Sequence, residues 1–305
     1  MRARAWVSTL RLRTLPAAAA PVAVGGALAA ARDAFHPAAW AAALAGALLI
    51  QVGTNLANDY YDFRKGADTP ERVGPRRASA SGDLAPQAVR DAAYATFALA
   101  AAVGVYLPAR VHQAGHPLGW PILLVGVLGI LFGLLYTAGP RPLGYAGLGD
   151  LLVLLFFGPI AVMGTVFVQA PEDFWSDAGL SMPALFTGLQ AGFLATAILV
   201  VNNLRDRVTD ERAGKRTLAV RWGDRGARLE YTVLLGLAAI LQVLSFARHG
   251  NPWHLLPLLA FAAAVPPLRL VWREHADRAR LNPALGQTAL VLLLWAVLES
   301  AAVLL

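Results

Sequence analysis

Between Gln51 and Asp68 the chain reads Q-V-G-T-N-L-A-N-D-Y-Y-D-F-R-K-G-A-D. On a helix, Gln51, Asn55, Asn58, Asp59 and Asp62 recur at intervals of three and four and share one face. A second stretch about 145 residues later, with Asn202, Asn203, Asp206 and Asp210, repeats this pattern at the end of another apolar run. Carboxylates and side-chain amides on an apolar helix are costly, and inside a membrane they are a functional site by default. Their chemistry suits a hard cation. Mg²⁺ takes oxygen ligands, commonly one or two carboxylates plus the phosphates of a substrate. Asn58, Asp59, Asp62 and Asp68, with Asp206 and Asp210, could hold one or two such ions. Basic residues interleave with them: Arg64, Lys65, Arg205, Arg207, Lys215 and Arg216. A mixture of acids and bases fits an anionic ligand clamped by metal and cations together, with diphosphate the natural candidate. A simple cation channel would carry the acids without so many bases. Lys65 and Lys215, each beside a glycine, are the only lysines among 26 basic residues.

The elements that position these groups are membrane helices. Of the 305 residues 57% are hydrophobic and 15% charged, with a mean hydropathy of +0.53, whereas soluble domains carry about 25% charged residues. The apolar runs are long enough for helices rather than barrel strands. Nine segments stand out, at about 15–32, 38–60, 88–109, 117–137, 145–169, 181–204, 229–247, 253–272 and 284–305. The expected fold is therefore all-α, a polytopic bundle of nine transmembrane helices in one domain, 1–305. With the N-terminus in the cytoplasm, every Lys and Arg falls on the cytoplasmic side except Arg32, Arg110 and Arg248. This asymmetry supports the topology. It accounts for the net charge of +7 without nucleic acid, and it puts both acidic stretches on the cytoplasmic face of a cell membrane. The basic N-terminus lacks a signal-peptide layout and is expected to be retained. There is no cysteine, which excludes thiol chemistry.

A diphosphate held at the mouth of an apolar helical bundle implies a substrate whose head sits in the polar cap and whose tail lies in the membrane. A polyprenyl diphosphate has that form. Metal and bases on the leaving group would promote C–O cleavage toward an allylic cation. Water must be kept out so that an electron-rich acceptor captures the cation.

The residues at this point carry a resemblance. N-D-Y-Y-D-F-R-K-G-A-D-T at 58–69 and N-N-L-R-D-R-V-T-D-E-R-A-G-K-R-T-L-A-V-R-W-G at 202–223 resemble the two signature regions of the UbiA-type membrane prenyltransferases. Within that family they are most similar to the branch acting on 1,4-dihydroxy-2-naphthoate. L-R-L-R-T-L-P at 10–16, Y-T-A-G-P-R-P-L-G-Y-A-G-L-G-D at 136–150 and F-F-G at 156–158 agree in order. Two details bear on the branch. Asp68 lies six residues after Asp62, as in this branch, and Asp150 stands where Glu is expected.

The resemblance implies a nine-helix bundle with a cytoplasmic cap, and Mg²⁺ bound through Asn58, Asp62, Asp206 and Asp210 with Asp59 and Asp68 close by. Lys215 and flanking arginines would contact diphosphate. The expected site is then Asp62, Asp206 and Asp210 in the chemistry; Lys65, Arg141, Arg205 and Lys215 on diphosphate; and Gln51, Asn55, Tyr136 and Asn202 on substrate. The reaction implied transfers a polyprenyl group to 1,4-dihydroxy-2-naphthoate with loss of CO₂ and diphosphate, giving demethylmenaquinone. Two alternatives stand beside it. One is the same chemistry on 4-hydroxybenzoate, homogentisate or a glycerophosphate lipid; the other is a transporter or binding protein for an anionic lipid. Blander roles are expected for other residues. Arg72, Arg76 and Arg77 would anchor a loop to anionic lipid, and Glu299 in the last span would reach toward water.

Overall fold

The computed structural model describes residues 2–68, 73–74, 77–117, 119–176, 179–273 and 277–305. Among the described residues the regular structure is helical throughout, with no strand. In chain order the α-helices are α1 (Arg2–Leu10), α2 (Leu15–Ala30), α3 (Pro37–Arg64), α4 (Pro86–Gly104), α5 (Tyr106–Gln113), α6 (Trp120–Leu135), α7 (Gly149–Phe156) and α8 (Pro159–Gln169). They continue with α9 (Pro171–Phe174), α10 (Ser181–Arg212), α11 (Leu218–His249), α12 (Leu259–Ala262), α13 (Val265–Arg273) and α14 (Leu281–Leu304). Eight helical stretches among the described residues are long and apolar enough to cross a membrane. The remaining apolar segment, α6, has 16 residues and falls short of the roughly 20 that a straight span needs.

Several expected spans are broken by their own sequence. The run 145–169 divides into α7 and α8 at Phe157-Gly158-Pro159, where Pro159 starts a new helix. The break allows a close crossing. A Cβ on Gly158 would stand 2.6 Å from the Gly188 carbonyl oxygen of α10, and one on Gly192 would strike the Leu154 carbonyl. Glycine at 158, 188 and 192 therefore lets the α7–α8 corner press onto α10, the helix that carries Asp206 and Asp210 at its far end. Pro21 lies inside α2.

Two cores organise the bundle. The larger gathers α2, α8, α10, α11 and α14 around Leu194, Leu204, Tyr231, Leu292 and Trp295. The smaller packs Leu56, Ala57 and Tyr60 of α3 on Val89, Ala93 and Phe97 of α4, with Ala78 and Leu84 of the intervening loop. Each core thus holds one of the acid-bearing helices, α10 in the first and α3 in the second. Glu299 of α14 does not reach toward water. It is only 2% exposed and accepts a 2.9 Å bond from Gln242, whose own carbonyl oxygen and that of Gln190 accept from the Trp295 indole. A partner on α11, itself held by the Trp295 indole, makes burial of this carboxyl tolerable.

Candidate active site

The last three turns of α3 supply the first half of the site. Their polar face lines a cavity of ≈ 450 Å³ with Gln51, Asn55, Asn58 and Asp62. The deeper amides tie helices together. Gln51 and Asn55 donate to the Thr14 hydroxyl, both at 3.1 Å, and Asn55 also donates to the Leu10 carbonyl at 3.0 Å. Asn58 accepts from the Thr137 hydroxyl at 2.8 Å. The last turns of α10 supply the second half, and Asn202, Asn203, Asp206 and Asp210 line the same cavity.

One side chain joins the halves. Lys215 Nζ lies 3.4 Å from an Asp62 oxygen and 3.3 Å from an Asp210 oxygen. Asp62 is also held by the Tyr145 hydroxyl at 2.8 Å and by Arg77 at 3.2 Å. Tyr145 stands between the two lysines: Lys65 Nζ is 5.1 Å and Lys215 Nζ 4.8 Å from its ring centre, within cation–π range. Burial and the neighbouring Asp62 push the Tyr145 phenol well above its ordinary range, so it stays a hydrogen donor. Burial lowers Lys65, against the opposing pull of Asp62.

The other expected residues are placed differently. Asp59 is buried but faces away from the cavity, accepting the backbone N–H groups of Ala78 and Ser79 at 3.2 and 2.9 Å. Its place one residue beyond Asn58 rotates it onto the loop side of α3. Asp68 pairs with Arg77 at 3.4 Å outside the lining. Arg205 is buried and turned inward, where it holds both Asp206 oxygens at 2.7–2.8 Å together with Asn202 and Asn282. It is a brace for Asp206 rather than part of the cavity wall. Lys65 donates to the Gly139 carbonyl at 2.8 Å. Arg141 is exposed and does not line the cavity, whereas Tyr136 does. Asp150 lies buried beneath the site and, like Arg141, outside the lining; neither of its oxygens meets a hydrogen-bond partner. Arg72 and Arg76 fall outside the described residues. Arg77 is no lipid anchor, because it is 8% exposed and bound to Asp62 and Asp68. Arg77 and Tyr145 are the site residues that sequence reasoning missed. For Tyr145 a signal existed: it lies in the 136–150 stretch, whose glycines at 139 and 147 take positive φ and fold the loop over the cavity mouth.

Among the described residues, no three carboxylate or imidazole groups stand together as a metal cage. The donors nevertheless fit a magnesium–diphosphate pair. Asp62 and Asp210 offer hard oxygens across a gap that one ammonium now bridges, and Asn58 adds an amide oxygen. Mg²⁺ commonly binds through so few protein ligands, with phosphates completing its shell. Beyond the polar mouth the lining turns apolar, with Ile50, Val127, Phe132, Phe156 and Leu199 among it. The arrangement can hold a charged head against cations and shelter an apolar tail from water.

Comparison with known proteins agrees with this geometry. Residues 18–298 match the UbiA prenyltransferase family. The chain is 40% identical to a 1,4-dihydroxy-2-naphthoate octaprenyltransferase of Escherichia coli (strain K12), covering 94% of this chain and 91% of that one. It is 41% identical to the protein of the same name from Mycobacterium tuberculosis, covering 96% and 94%. Among solved structures, the apo UbiA homolog from Aeropyrum pernix K1 superposes with a TM-score of 0.70 at 16% identity, over 95% of this chain and 96% of that one. A UbiA homolog from Archaeoglobus fulgidus bound to DMAPP and Mg²⁺ gives 0.60 at 16% identity, over 98% of each.

Proposed function

The chain belongs to the UbiA prenyltransferase family, and from that premise we propose that it transfers a polyprenyl group from its diphosphate to 1,4-dihydroxy-2-naphthoate. The observation that carries the reading is the convergence of Asp62 and Asp210, from the two acidic stretches, on one lysine at the polar mouth of an apolar cavity. The relatives named for this acceptor support the choice over other aromatic or lipid acceptors. In the reaction the C1–O bond of the prenyl diphosphate breaks and diphosphate leaves. A C–C bond forms to the naphthoate ring, and the carboxylate departs as CO₂. The product is the prenylated hydroquinone, the reduced form of demethylmenaquinone.

The chain's own residues would work as follows. Asn58, Asp62, Asp206 and Asp210 would hold Mg²⁺ on the diphosphate, and the metal would supply neutralisation of the leaving group's charge. Lys215 and Lys65, both close to the Tyr145 ring, would contact the phosphate oxygens. Arg205 and Arg77 keep Asp206 and Asp62 aimed. Asp59 and Asp68 hold the 77–84 loop over the mouth, which would limit water at the stage of the allylic cation. Gln51, Asn55, Asn202 and Tyr136 line the cavity, where they would contact an acceptor ring. The whole chain would act as one membrane domain in the cell membrane, with α6 completing a nine-helix bundle and the mouth covered by a cytoplasmic cap.

The test uses protein in lipid nanodiscs with Mg²⁺, a labelled polyprenyl diphosphate and separate acceptors. Prenylated product and diphosphate release with 1,4-dihydroxy-2-naphthoate, abolished by chelator, are expected. Product only with 4-hydroxybenzoate, homogentisate or a glycerophosphate lipid would remove the acceptor assignment. Tight diphosphate binding with no turnover on any acceptor would remove the transferase assignment.

A further inference from the structure

At the opposite end of α3 from Asp62, about 39 Å along the helix at 1.5 Å per residue, lies a second cavity of ≈ 550 Å³. Asp33 and His36, in the turn before α3, form one wall; Arg110 at the end of α5 forms another; and Gln169, Glu172 and Asp173, at the end of α8 and in α9, close it. None of these residues belongs to the active site, and its cavity is a separate one.

Its polar groups are not satisfied by one another. Gln169 is 2% exposed. Its carbonyl oxygen accepts the His36 backbone N–H at 2.6 Å, which fixes the amide orientation. The amide nitrogen, Nε2, is left without a hydrogen-bond partner, as is Nε of Arg110. An unmet buried donor is costly, so native structures rarely keep one without a partner to fill it. The charges narrow the ligand. One guanidinium faces three carboxylates, Asp33, Glu172 and Asp173. A simple anion would satisfy Arg110 and Gln169 but meet net negative charge. A simple cation would suit the carboxylates, and the carbonyl-rich ends of α5 and α8, but leave both donors unmet. A zwitterion answers both halves.

The location narrows it further. The cavity sits where α3 begins and α8 ends, at the level where membrane spans give way to polar surface. The exposed Phe35, Trp120 and Trp175 lie in the segments around it, as aromatic side chains do at a lipid headgroup boundary. We propose that this cavity binds the headgroup of an aminophospholipid, its phosphate on Arg110 and the Gln169 amide and its ammonium on Glu172, Asp173 and Asp33. A primary ammonium, with three N–H donors, suits carboxylates. A quaternary ammonium would want a cage of several aromatic faces, and the cavity wall offers one phenyl ring, Phe35.

The experiment is native mass spectrometry of the full chain, titrated with phosphatidylethanolamine, its N-methylated series up to phosphatidylcholine, and phosphatidylglycerol. Phosphatidylethanolamine should bind in preference to the others, with retention falling stepwise as N-methyl groups are added. Arg110→Gln should weaken binding about tenfold, the loss expected for one charge-assisted hydrogen bond. Glu172→Gln combined with Asp173→Asn should bring phosphatidylethanolamine down to the level of phosphatidylcholine. Both variants should retain the prenyl transfer of the parent, which doubles as the control for folding. Equal retention across the N-methyl series, preference for phosphatidylglycerol, or variants that bind like the parent would each overturn the proposal. The N-methyl series on the unmodified chain decides the matter if a variant fails to fold.

Discussion

Lys215 and Tyr145 show how much of this site depends on single side chains. Lys215 bridges the two acidic stretches. Lys215→Met should lower kcat/KM for prenyl transfer about 100-fold, because it removes a charged contact to the leaving group and leaves Asp62 and Asp210 repelling each other; a kinetic comparison at saturating acceptor measures it. Tyr145→Phe keeps the ring against both lysines and deletes only the 2.8 Å bond to Asp62. A loss of about tenfold to a hundredfold in kcat/KM is expected, the worth of one hydrogen bond to a charged partner. At this scale the sequence was informative where chemistry was expensive. Carboxylates and amides at helical spacing in an apolar run stand out whatever surrounds them, and Asn58, Asp62, Asp206 and Asp210, singled out that way, line one cavity. Arg77 and Tyr145 were not, because each comes from a loop 15 or more residues from the carboxylate it holds, and loop residues carry no periodicity to read.

At the scale of elements, spacing proved a coarser guide. Asn58 and Asp59 are neighbours on α3, yet one faces the cavity and the other captures the 77–84 loop through the Ala78 and Ser79 amides. A helical wheel places both on roughly one face and cannot tell which will meet a loop. Asp59→Ala should therefore behave as a structural lesion. We expect a loss of about 2–3 kcal/mol in stability, since two buried backbone donors lose their acceptor. Faster hydrogen exchange over 77–84 and activity that added Mg²⁺ does not restore are the measurements; recovery with excess Mg²⁺ would make Asp59 a metal ligand after all. The broken spans were legible only in part. Pro159 announces a helix start, but the reason for the break is the contact of Gly158 with Gly188 and Gly192, 30 or more residues away. Glu299 was misjudged for the same reason, as its partner Gln242 lies on another helix.

For the whole molecule, hydropathy pointed to the all-helical chain, eight of whose described helical stretches are long and apolar enough to cross a membrane, because membrane insertion imposes one rule on every span. The side each loop faces, and whether the 16-residue α6 crosses the bilayer, are matters for a topology measurement. The chain has no cysteine, so single-cysteine labelling needs no background engineering. Asp83→Cys and Pro140→Cys should react from the cytoplasmic side and His112→Cys from the opposite side. His112→Cys and Pro140→Cys reacting from one side would mean that α6 does not cross. The central claim is that two acidic stretches, far apart in the chain, form one magnesium–diphosphate site. It is tested most directly by a double-mutant cycle between Asp62→Asn and Asp210→Asn, read as Mg²⁺-dependent binding of a non-reactive prenyl diphosphate analogue. If both carboxylates act through the same bound head group, the two losses should be coupled by about 1–3 kcal/mol. Losses that add to within about 0.5 kcal/mol would mean two independent sites and would contradict the account.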